Sequence, residues 1–61
     1  MLINERYAID ALLEIRYQFD KGQKEFTIQA YGTDRRQLIQ MLGRQKCTFI
    51  VDGKTIYINY D

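Results

Sequence analysis

The sequence predicts a small α+β domain in the order αββαββ, a four-stranded antiparallel sheet packed by one or two short helices. Three observations carry this. β-Branched and aromatic runs flank Asp52-Gly53, and a second pair of alternating runs brackets Lys21-Gly22-Gln23-Lys24. Between the two pairs, Leu38, Met41 and Leu42 recur at helical spacing.

The N-terminal segment fits two templates. Asn4 is placed to cap a helix over residues 5–13 with Ile9, Leu12 and Leu13 as its buried stripe. Tyr7, Ile9, Ala11, Leu13, Ile15, Tyr17 and Phe19 also alternate as one strand would. So long a strand is unusual in a small domain, which favours the helix.

A first hairpin is expected next. Ile15, Tyr17 and Phe19 alternate with Arg16, Gln18 and Asp20, and Phe26, Ile28 and Ala30 alternate with Thr27, Gln29 and Tyr31. The polar Lys21–Lys24 segment, with its glycine, reads as the connecting loop. Residues 34–43 then read as a short helix with Thr33 or Asp34 as N-cap and Gly43 as a left-handed C-terminal residue. Cys47–Val51 and Thr55–Tyr60 form the last hairpin, for which Asp52-Gly53 suits a type I′ turn.

The two halves match as a faint repeat. Ile9-Leu12-Leu13 aligns with Leu38-Met41-Leu42 at an offset of 29, and Phe19, Phe26 and Ile28 align with Phe49, Ile56 and Ile58 at 30. Together these twelve residues are the expected core.

With 61 residues the chain is expected to be one domain spanning 1–61. Hydrophobic residues make up 46% and charged residues 28%, a balance that excludes a disordered chain. A net charge of +1 argues against both a nucleic-acid decoy and a general polyanion binder. His, Ser, Trp and Pro are absent and Cys47 is the single cysteine. That removes Ser–His and Cys–His nucleophile pairs, a His/Cys metal cage and an internal disulfide. The expectation is a non-enzymatic protein with no cofactor and no metal. No apolar run approaches the ~20 residues of a membrane helix. The lone thiol and the absence of an export signal point to the cytoplasm.

Two surfaces are candidates for partner binding. Arg36, Gln40 and Arg44 follow at spacings of four along one helix edge, with Arg35 and Lys46 nearby. Guanidinium and amide groups in that arrangement suit an acidic protein patch, or phosphates and base edges. The outer sheet face, expected to carry Arg16, Gln18, Gln29, Tyr31, Ile50 and Tyr57, is the second. Tyr31, Ile50 and Tyr57 on it suit a partner or a homodimer seam. Cys47 reads as a small buried hydrophobe.

In size and style the chain resembles accessory proteins of phages and other mobile elements, a resemblance that carries over no individual residue. It implies a regulatory protein that binds and modulates a protein partner. A sequence-specific DNA- or RNA-binding protein using the basic second helix is the alternative. A chain this short has little core of its own, so a homodimer is expected.

Overall fold

The structure, a computed structural model, describes residues 1–60. The elements run β1 (Leu2–Ile3), α1 (Ala8–Asp20), β2 (Glu25–Gln29), α2 (Gly32–Leu42), β3 (Thr48–Asp52) and β4 (Thr55–Asn59). The α+β class is as expected, but the order is βαβαββ rather than αββαββ. The four strands lie in the order β1-β2-β4-β3, and the sheet is mixed because β1 runs parallel to β2. β2 and β3 each pair antiparallel with β4.

The parallel pair explains the largest departure from the sequence reading. Parallel neighbours need a crossover connection, and α1 is that crossover. Ile15, Tyr17 and Phe19, expected in a strand, therefore continue the helix to Asp20. β1 itself is held by Leu2 opposite Thr27 and Ile3 opposite Ile28, with the Met1 amino group donating to the Glu25 carbonyl at 3.0 Å.

Gly22 acts as a helix stop and not as a hairpin residue. Its φ is +103°, its N–H donates to the Phe19 carbonyl, and the Gln23 N–H reaches back to the Gln18 carbonyl. This paired arrangement satisfies the last carbonyls of α1 and requires a left-handed residue at Gly22. Gly43 differs from expectation: it caps α2 with a right-handed φ of −64°, and an added Cβ would meet only ordinary contacts there. Gly22→Ala should therefore cost about 1 kcal/mol, whereas Gly43→Ala should be neutral or stabilise by up to about 1 kcal/mol. Urea melts of the two variants check this contrast.

The helix starts also depart from the sequence reading. The N-cap residues are Tyr7 and Tyr31, neither with a capping side chain, so Asn4 and Thr33 do not cap. Asp34 lies in the first turn of α2 and its Oδ1 accepts the Ala8 N–H at 3.1 Å. One carboxylate thus sits in the first turn of one helix and caps the other, favourable at both positive dipole ends. Asp34→Ala should cost about 1–2 kcal/mol and Asp34→Asn less, since the amide oxygen still accepts. Denaturant midpoints of the two variants measure it.

The C-terminal hairpin forms as expected, with the turn displaced by one residue. Asp52 pairs with Thr55, leaving Gly53-Lys54 as the loop. Only Gly53 has positive φ, at +59°, which suits a type II′ turn in place of type I′.

The core comprises Ile3, Ala8, Ala11, Ile15, Phe26, Ile28, Ala30, Leu38, Leu42, Ile56 and Ile58. Phe26, Ile28, Leu38, Leu42, Ile56 and Ile58 were expected there. Ile9, Leu13, Phe19 and Met41 are instead exposed, and Leu12 and Phe49 are only partly buried. The repeat fails on the same ground. Leu38 and Leu42 are buried while their matches Ile9 and Leu13 face outward, and Phe19 is helical where Phe49 is in a strand. No helix is long and apolar enough to cross a membrane among the described residues.

Candidate functional site

Helix α1 is apolar around most of its circumference, so the fold must choose which face to cover. It turns Ala8, Ala11 and Ile15 onto the sheet and leaves the larger Ile9 and Leu13 64% and 63% exposed. The two alanines bring the helix backbone close to the sheet. The cost is that two long aliphatic side chains stay in water, each worth roughly 1.5–3 kcal/mol if fully covered.

Those side chains form a groove of about 490 Å³ beside α2. Ile9, Leu13 and Phe19 of α1 face Met41 of α2, with Gln45 and Tyr60 completing the wall. Arg16, expected on the sheet, instead lines this groove from α1. Gln18, also expected on the sheet, lies on α1 and donates to Glu14 Oε2 at 2.7 Å. Asp10 and Glu14 are on the other flank of the helix, and Arg16 lines the groove, with Asp20 following it at the end of the same helix face.

Tyr60 anchors the groove by stacking its ring 5.0 Å from Phe19 and edge-on to Phe26, while its hydroxyl donates to Gln45 Oε1. Cys47 is half-buried beside it and its thiol points to the Leu42 carbonyl. Burial pushes the Cys47 thiol up from its ordinary value, against a smaller opposing effect of the Tyr60 hydrogen bond. Burial, and then the neighbouring Cys47, push the Tyr60 phenol up as well. The folded state therefore keeps protons that the unfolded chain releases, and its stability is retained below the ordinary thiol value and lost as pH rises. The melting temperature should fall as pH rises above about 8.5, and less so in Cys47→Ala. Thermal melts across the alkaline range check this.

The sequence-predicted site residues fall into three places. Arg36 and Gln40 lie exposed on α2, while Arg44 lies beyond the helix in the turn that follows Gly43 and is also exposed. None of these three side chains, nor that of Lys46, has a hydrogen-bond or ion-pair partner among the described residues. Arg35 is separate from them, for its Nε donates to the Gly53 carbonyl at 2.7 Å and ties α2 to the β3–β4 turn. Ile50 and Tyr57 are direct cross-strand neighbours on the open sheet face, joined through Thr27 to Leu2 in one row. Tyr31 is outside this row, at the entry to α2, with the Lys54 ammonium 5.7 Å from its ring centroid.

The groove was missed in the sequence because its residues were assigned to the core. The spacing of Ala8, Ala11 and Ile15 is the signal that would have revealed it. No family model, no curated protein and no solved structure matches the chain.

Proposed function

We propose that this protein is a non-enzymatic regulatory module that modulates a protein partner by seating an apolar segment of it in the α1–α2 groove. The observation that carries the reading is the orientation of α1, which buries two alanines and exposes Ile9 and Leu13. Contiguous apolar surface rimmed by polar residues marks interaction sites. Of the polar groups in its lining, Gln45 and Tyr60 are engaged with each other rather than presented together to a small ligand. Its shape and its margin of Arg16 suit an amphipathic helix with acidic residues flanking its apolar stripe. Arg36, Arg44 and Lys46, whose side chains have no partner among the described residues, extend the positive field and favour the same acidic partner. The lone, partly buried thiol is consistent with action in the cytoplasm, and the small size with an accessory protein of a phage or mobile element.

Affinity capture from the native cell extract tests this, comparing wild type with Ile9→Lys/Leu13→Lys. The expected result is a stoichiometric protein recovered by the wild type and lost by the folded double variant. Recovery of nucleic acid alone, or equal recovery by both forms, overturns it. The second reading, binding of DNA or RNA, is favoured by the exposed Arg36, Gln40 and Arg44. It requires Arg36→Glu/Arg44→Glu to abolish nucleic-acid binding and wild-type affinity to fall steeply with salt.

A further inference from the structure

The free edge of β3 is unguarded and matches itself. The backbone directions follow from the neighbouring ladder. The Lys54 carbonyl accepts from Ala30 and the Tyr60 N–H donates to Lys24, so even-numbered residues of β4 face β2. Thr55, Tyr57 and Asn59 accordingly face β3, where they pair with Asp52, Ile50 and Thr48. In an antiparallel ladder such pairs exchange both of their hydrogen bonds. The N–H and C=O groups of Phe49 and Val51 therefore point outward from the sheet.

Edge strands are ordinarily protected by proline, lysine, an inward charge or a bulge. Thr48-Phe49-Ile50-Val51-Asp52 contains none of these. Its inward residues Phe49 and Val51 are only partly buried, whereas their pair partners Ile58 and Ile56 are fully covered. On the outer face Ile50 is 68% exposed. The opposite edge, β1, is only two residues long and offers no comparable template.

We propose that two copies of this chain join antiparallel along β3, with the two-fold axis at Ile50. Phe49 then pairs with Val51 of the second copy, and Val51 with its Phe49, giving four main-chain hydrogen bonds. The two copies of Ile50 meet on the open face, and Thr48 faces Asp52, so no like charges are opposed within the strand. In this register Lys46, two residues before the strand, lies opposite Lys54 and diagonal to Asp52 of the second copy, so beyond the strand ends the charge pairing is mixed. Other registers are poorer. An axis at Phe49 sets Val51 against Cys47, whose N–H is already used on the Gln45 carbonyl, and an axis at Val51 sets Phe49 against Gly53 in the turn. The result is a continuous eight-stranded sheet with a contact in which the same patch meets itself. This pairing does not depend on the α1–α2 groove or on its partner.

Sedimentation equilibrium over a range of concentrations tests the proposal, with Ile50→Lys and with Ile50→Cys in a Cys47→Ala background. Opposed Ile50 positions on a non-hydrogen-bonded pair lie at a Cα separation that a disulfide can span. The wild type should dimerise, with a melting temperature that rises with concentration. Ile50→Lys sets two ammonium groups opposite each other and should weaken dimerisation at least about tenfold. Ile50→Cys should cross-link under mild oxidation. Ile9→Lys/Leu13→Lys should leave the dimer unchanged, which separates this interface from the groove. A wild type that stays monomeric at all concentrations overturns the proposal. So does a dimer that tolerates Ile50→Lys while Ile50→Cys fails to cross-link.

Discussion

Ile28→Ala is expected to leave the chain largely unfolded at room temperature. Ile28 is fully buried at the junction of the sheet, opposite Ile3 on one side and Ile56 on the other. Truncating a buried isoleucine costs about 2–5 kcal/mol, through lost transfer energy and the cavity left behind. A single core in a chain this short rarely supplies more than about 3–5 kcal/mol, so the loss is comparable to the whole stability. The neighbouring Thr27→Ala, on the open face, should shift the denaturant midpoint only slightly. Circular dichroism and amide NMR dispersion distinguish the two. A folded Ile28→Ala with a near-native melt would contradict the register of β1, β2 and β4.

Ile15→Ala should cost about 2–4 kcal/mol while Ile9→Ala changes stability by less than about 0.5 kcal/mol. The two residues have the same chemistry and lie on the same helix, so the difference reads the rotation of α1 directly. Ile15 is buried against the sheet and Ile9 lies on the groove wall. At roughly 4–8 °C per kcal/mol, the two melting temperatures should differ by at least about 6 °C. The reverse ranking would place the Ile9-Leu12-Leu13 stripe in the core and would remove the groove. A partner seated in the groove should invert the sensitivity: Ile9→Ala would then weaken binding directly, while Ile15→Ala, at the buried floor of the same groove, would act mainly through folding.

The sequence by itself determined what is local. Thr55–Asn59 and Thr48–Asp52 are legible because β-branched residues alternate on both sides of a glycine that can take positive φ. Residues 34–42 are legible as helix because Leu38, Met41 and Leu42 recur at helical spacing after a polar first turn. The absence of Ser–His and Cys–His pairs and the spacing of Arg36, Gln40 and Arg44 are likewise read from the sequence alone.

Tertiary structure decided the rest. Residues 8–20 carry apolar side chains at positions that satisfy both a period of two and a helical period, so local pattern cannot separate strand from helix. The choice is made by β1, two residues with no periodicity of their own, whose parallel pairing to β2 demands a crossover. The rotation of that crossover is set by Ala8 and Ala11, small enough to lie against the sheet, and this leaves Ile9 and Leu13 to build the groove. Which apolar residues are covered is a property of close packing between elements distant in sequence, and a one-dimensional pattern of hydrophobicity does not contain it.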